Sequence, residues 1–212
     1  MSEHQTPALS DYRQVVLTGG PGAGKTAILE MARKQFCRHV FVVPEAASII
    51  FGGGFPRSPD TEGRRAAQRA IYSVQRELEN FARTRVGVGL VLCDRGTVDG
   101  AAYWPGEIAD YWPAVKTTAK AELDRYRAVI HVHTPSSTDG YNWVNSLRTE
   151  TAEEAASLDK RIALAWTDHP FRFDVPPATD FLTKARDALE IIESFMPESC
   201  SVSACAARDP GK

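Results

Sequence analysis

Apolar residues follow two spacings along this chain. Short, nearly continuous runs rich in β-branched residues occur at QVVLT (14–18), HVFVVP (39–44), VGVGLVLCD (86–94) and AVIHVH (128–133). Between them apolar side chains recur every three or four positions, the period of a helix with one buried face. From Ala66 to Arg85 the inward set is Ala67, Ile71, Val74, Leu78 and Phe81, while Arg65, Arg69, Arg76, Glu77 and Arg83 point outward. Further helices are expected from Thr26 to about Gln35, from about Ala152 to Trp166 with Ala155, Leu158, Ile162 and Ala165 inward, and from Phe181 to Phe195. Apolar strands alternating with amphipathic helices imply a parallel sheet covered by helices on both faces. Residues 1–12 are polar and 197–212 are small, polar and aperiodic, so both read as flexible tails around one domain spanning 13–196.

Composition narrows this picture. With 212 residues, 43% of them hydrophobic and 25% charged, the chain can bury one core, and two domains would be cramped. A net charge of -2 provides no global positive field for nucleic acid. No apolar run approaches the roughly 18 residues of a membrane span. Cys37, Cys93, Cys200 and Cys205 show no metal-ligand spacing, and the N-terminal residues lack a basic start followed by an apolar run. The expectation is a cytoplasmic protein with free thiols and no structural zinc.

The candidate chemistry begins in LTGGPGAGKT, Leu17 to Thr26, a stretch poor in both strand and helix formers. It fits G-x-x-x-x-G-K-[ST] through Gly19, Gly24, Lys25 and Thr26, directly after a strand and before a helix. A chain of this length would show that pattern by chance about once in a hundred. Glycines let successive backbone amides turn inward, so Gly19, Gly20, Pro21, Gly22, Ala23, Gly24 and Ala27 outline a phosphate cradle at a helix N-terminus. Lys25 adds a full charge at the β- and γ-phosphates, and the Thr26 hydroxyl can bind Mg²⁺. The expected cofactors are therefore ATP or GTP with Mg²⁺.

A second acid suited to the metal ends the strand GLVLCD. Asp94 should reach the same sheet edge as the loop. Arg95 follows it, where ATP-driven motors place a catalytic Glu, and no N-K-x-D string for guanine occurs. Small-molecule kinases often carry this D-R pair, with Asp orienting or deprotonating the acceptor hydroxyl and Arg meeting phosphate.

Together, VVLTGGPGAGKT, FVVPEAAS, DRGTVDGAAYWPG, GYNWVNSLRTE and AWTDHP resemble the P-loop domain family shared by the TRPL translocation defect protein and the ribosylnicotinamide-kinase part of NadR. The resemblance spans 14–195 and implies an α/β three-layer sandwich of the nucleoside-kinase type with strand order 2-3-1-4-5. It also implies catalytic positions at Lys25, Asp94 and Glu45, the last beside the acceptor hydroxyl, and a lid near 141–161. From that lid Arg148 and Arg161 would neutralise charge on the transferred phosphoryl group. HPFRFDVP, 169–176, falls where the family passes a loop under the nucleobase. His131 and His133 read as a packed or hydrogen-bonded pair. Tyr103 and Trp104 could stack on a ring substrate, and Asp99 could bind a hydroxyl.

Two functions fit these features. One is a kinase moving the γ-phosphate of ATP to a small hydroxyl-bearing, nucleoside-like metabolite. The other is a nucleotide-dependent binding module with a protein or phosphoinositide partner, which the resemblance also allows and for which Arg57, Arg64, Arg65 and Arg69 form a local basic cluster.

Overall fold

A computed structural model describes residues 12–134, 152–178, 180–197 and 200. Five strands, β1 (Arg13–Thr18), β2 (Val40–Val43), β3 (Leu90–Asp94), β4 (Ala128–Val132) and β5 (Arg172–Val175), form one parallel sheet ordered β2-β3-β1-β4-β5. The helices are α1 (Lys25–Gln35), α2 (Ala46–Gly52), α3 (Thr61–Arg83), α4 (Asp99–Tyr103), α5 (Tyr111–Ala114), α6 (Ala119–Leu123), α7 (Ala152–Ala165) and α8 (Phe181–Glu193), with a 3₁₀ turn at Ile108–Asp110.

The continuous apolar runs are explained by burial on both faces. Val15, Leu17, Leu90, Leu92, Ala128, Ile130 and Val132 pack toward Ile28 and Leu29 of α1 and Ala188 and Ile192 of α8. The alternate residues Val16, Val91, Cys93 and Val129 pack toward Ala82 of α3, Ala102 of α4 and Ile162 and Trp166 at α7. Each fully buried Val, Leu or Ile in these layers contributes about 1.5–3 kcal/mol.

Several expectations change. The 86–94 run pairs only from Leu90, because Val86 is 96% exposed and Gly87 turns at φ 83°. The segment expected as a loop at 169–176 contains β5, which completes the sheet edge beside β4.

On α3 the buried face is rotated from the apolar pattern. Phe81 is 52% exposed, whereas Gln75 and Glu79 are buried. Polar burial succeeds there because Glu79 accepts from Gln75 Nε2 at 2.8 Å and Tyr126 Oη at 2.9 Å and pairs with Arg125. After α8, Met196 and Cys200 belong to the core, and Cys200 lies beyond the expected boundary at 196. Arg13 fixes that end by donating to the carbonyls of Phe195 and Met196 at 3.1 and 3.0 Å.

Candidate functional site

β1 and β3 are neighbours whose C-terminal connections leave on opposite faces, to α1 and to α4. That divergence opens a crevice at the strand ends, the usual ligand position in such sheets. The loop from Gly19 to Gly24 lies at this edge. Gly19 has φ 135°, and a Cβ there would sit 2.0 Å from the Val132 carbonyl oxygen, so the loop can pass β4 only without a side chain. Gly24, at φ 93°, caps α1, and its added Cβ would meet the Phe181 ring at 2.7 Å. Pro21, Gly22 and Ala23 form the turn between them, and Ala27 lies in the first turn of α1.

Lys25 is 7% exposed, and its ammonium donates to the carbonyls of Gly19 and Gly20 at 2.9 Å each. Burial, helped by the nearby Arg95 charge, pulls its pKa down to about 7 against the opposing pull of Asp94, Glu45 and Asp99. The Thr26 hydroxyl donates to Asp94 Oδ2 at 2.9 Å. Asp94 Oδ1 is buried without a hydrogen-bond partner, an orphan that a metal ion or its water would satisfy. Burial raises the Asp94 carboxyl above its ordinary value, with Lys25 opposing and Glu45 adding to the rise.

Glu45 ends the β2 connection at the N-terminus of α2. Its carboxylate accepts from Arg95 Nε at 2.8 Å and Ser48 Oγ at 2.5 Å. Burial alone would lift its pKa, but Arg95 and Ser48 outweigh that and leave it below the ordinary value. Arg95 has φ 69° and also donates to Gly19 O at 3.1 Å and Asp99 Oδ1 at 3.2 Å. Its guanidinium thus buttresses the loop and holds Glu45 in place.

Asp99 and the aromatic pair also depart from expectation. Asp99 is 3% exposed and accepts from Thr18 Oγ1 at 2.5 Å, Gly96 N at 3.0 Å and Trp166 Nε1 at 3.2 Å. A carboxylate so engaged supports the crevice from behind and has no capacity for a substrate hydroxyl. Trp104 is buried against Tyr111 in a small core of its own. Tyr103 lies under Arg95, 5.3 Å from its guanidinium carbon. Arg161 donates to the carbonyls of Trp104 at 2.9 Å and Gly106 at 3.5 Å, bracing α7 against the end of α4; among the described residues it makes no bond to the loop. Arg148 and the lid segment 141–151 lie outside the described residues.

The residue missed by the sequence analysis is Asp159 on α7. Its Oδ1 accepts from the Gly20 amide at 2.7 Å and lies 2.9 Å from His131 Nε2, and its Oδ2 lies 3.0 Å from His133 Nδ1. His133 Nε2 is 2.9 Å from Asp174, which Arg172 also holds at 2.7 Å. The two imidazoles stack at 4.3 Å, a packed pair in which each ring hydrogen-bonds the same carboxylate. Burial raises the Asp159 carboxyl, but the histidines and the Gly20 amide prevail and hold it well below its usual value. A signal was available: 155, 159 and 162 share one helical face, so Asp159 had to turn inward toward the histidines of β4.

Of the basic cluster, Arg57 stacks on Phe51 at 4.0 Å, and Arg65 pairs with Glu62 and lies over Trp104. Arg64 and Arg69 are exposed. A 590 Å³ cavity lined by Tyr12, Gln14, Arg83, Arg127 and Phe171 opens at the opposite, N-terminal edge of the sheet, away from the phosphate loop.

A family profile described as AAA domain matches residues 14–184. None of the curated proteins is close enough in sequence to count as a relative. Among solved structures, NadR in complex with NR superposes with a TM-score of 0.68 at 12% identity, covering 88% of this chain and 52% of that one. The chain thus spans about half the length of that NadR structure. Deoxyadenosine kinase from M. mycoides with bound dATP gives 0.59 at 16% identity, covering 85% of this chain and 99% of that one. Thymidylate kinase from Candida albicans gives 0.58 at 11% identity, with coverage of 86% and 92%. At these identities the likeness establishes the fold, that of P-loop nucleoside and nucleotide kinases.

Proposed function

The chain belongs to the AAA-domain family of P-loop proteins, and from that premise we propose that it is a kinase transferring the γ-phosphoryl group of ATP to a hydroxyl of a small, nucleoside-like metabolite. The observation that carries this reading is the joining of Thr26 to Asp94 at 2.9 Å, with the second Asp94 oxygen buried and unsatisfied beside the Lys25 ammonium.

Thr26 and Asp94 would hold Mg²⁺, which supplies charge neutralisation at the β- and γ-phosphoryl oxygens. Loop amides from Gly22 to Ala27 and the N-terminus of α1 would bind the phosphates. Lys25, now spent on two carbonyls, would turn its ammonium to them. Asp94 would also face the substrate hydroxyl and orient it or accept its proton, while Glu45, held by Arg95 at 2.8 Å, would support the acceptor from the other side. Positioning and charge stabilisation carry such a transfer, and no covalent intermediate is needed. Kinase neighbours built on this fold support the reading, as does the Arg that stands after Asp94 where a motor would have Glu.

The test is ADP release from Mg²⁺ and ATP against a panel of nucleosides, vitamins and sugars. Release should require both an acceptor and Lys25, and Asp94→Asn should lower kcat by about 10²–10⁴-fold in a protein that remains folded. Tight nucleotide binding without acceptor-dependent turnover across the panel would refute the kinase and favour a nucleotide-dependent binding module.

A further inference from the structure

Three soft donors that are distant in sequence meet at the start of β2. After α1 ends at Gln35, the turn presents Cys37 and then His39, and the chain beyond α8 returns Cys200 to the same point. Cys37 Sγ lies 3.4 Å and Cys200 Sγ 3.1 Å from one atom, His39 Nδ1, and all three donor atoms lie within 4.8 Å of one another. His39 and Cys200 are each 3% exposed. We propose that Cys37, His39 and Cys200 form a binding site for a thiophilic divalent cation, of which Zn²⁺ is the best match.

The geometry supports a cation in the middle. Tetrahedral zinc with Zn–S of about 2.3 Å and Zn–N of about 2.0 Å places sulfur and nitrogen about 3.5 Å apart and two sulfurs about 3.8 Å apart. The two sulfur–nitrogen separations, 3.4 and 3.1 Å, lie within a few tenths of an ångström of the first figure, and the two sulfurs lie within 4.8 Å of each other. Hydrogen bonding accounts for them less well, because a neutral Nδ1 is either one donor or one acceptor and here faces two sulfurs. A central ion satisfies the three donors together. Two thiolates and an imidazole select zinc over Mg²⁺ or Ca²⁺, which prefer oxygen ligands.

The placement assigns the ion a structural task. Cys37 and His39 precede β2 whereas Glu45 follows it, so the site lies at the sheet edge opposite the phosphate loop. A bound ion would clasp the chain after α8 to the start of β2, closing a loop of 161 residues between His39 and Cys200. Binding converts two thiols to thiolates and releases their protons, so affinity rises with pH. Spacing in the sequence could not show this, because the pairs that matter are set by where α1 and α8 end.

The test uses the full chain, reduced and stripped of metal, titrated with Co²⁺ and then Zn²⁺. One equivalent of Co²⁺ should give a thiolate-to-cobalt charge-transfer band that Zn²⁺ abolishes. Cys37→Ser and Cys200→Ser should each weaken Co²⁺ binding more than about tenfold. Free Zn²⁺ at a hundred times its Kd should raise the Tm by roughly 5–10 °C. On the unmutated chain, Zn²⁺ should shield Cys37 and Cys200 from alkylation and a chelator should reverse this, a readout independent of whether the variants fold. Three results would each overturn the proposal: no such band in the reduced protein, a band unchanged in the double serine variant, or isolation of the protein with the two sulfurs already joined, two hydrogens lighter.

Discussion

Nucleotide binding should consume a proton at Lys25. In the ligand-free protein burial and the Arg95 charge pull this ammonium down to about 7, and its hydrogen bonds go to the carbonyls of Gly19 and Gly20. Phosphate oxygens placed against it favour the charged form and lift the pKa back to its ordinary value of about 10.4 or higher. Above pH 7 the free protein must therefore take up a proton to bind, and affinity falls as pH rises. With a free pKa of about 7, the loss between about pH 7 and pH 9 is the ratio of (1 + 10²) to (1 + 10⁰), about 50-fold. Calorimetry with a magnesium nucleotide in buffers of different ionisation enthalpy should show uptake growing from about half a proton at pH 7 to nearly one at pH 9. Lys25→Arg should remove the pH slope, since a guanidinium stays charged throughout. An affinity flat to within about twofold over that range, with heats independent of buffer, would refute the argument. The same shift has a sign for stability: the unfolded chain binds more protons between about 7 and 10.4, so the ligand-free protein gains stability as pH rises through that window.

Other consequences follow from contacts around the crevice. Asp99→Ala removes the acceptor shared by Thr18, Gly96, Trp166 and Arg95 and should cost about 3–5 kcal/mol in guanidinium denaturation; a loss under about 1 kcal/mol would show that the network contributes little. Asp159→Asn should cost roughly 1–3 kcal/mol near neutral pH, and because the Asp159 carboxyl is held well below its unfolded value of about 3.9, that difference should begin to shrink once pH falls below that value and vanish only below the folded one, so thermal melts should show a smaller gap near pH 3 than near pH 7. Both glycines have positive φ, so an alanine at either is strained, but Gly19→Ala must also move the Val132 carbonyl whereas Gly24→Ala meets the edge of a phenyl ring. Nucleotide titration should accordingly show a loss of about a hundredfold or more for the first and nearer tenfold for the second, and equal losses would contradict the loop geometry.

How much of this was legible beforehand depended on the range of the interactions. Four of the strands, the helix after the loop and the cradle from Gly19 to Thr26 could be read directly, because a continuous apolar run, a 3.6-residue period and a glycine cluster are local signals that burial and backbone sterics impose on neighbouring residues. Strand order entered through family resemblance and is borne out by the pairing of β1 with both β3 and β4. Arg172–Val175 escaped as a strand because only pairing with β4 makes so short and polar a stretch extended. The tertiary fold alone decided that Arg95 and Asp99 serve as buttresses, that Asp159 holds the Gly20 amide, and that Cys37, His39 and Cys200 converge. Each of those outcomes joins charges or soft donors from separate elements, and a buried polar group takes the partner that folding brings within reach, which no local pattern encodes.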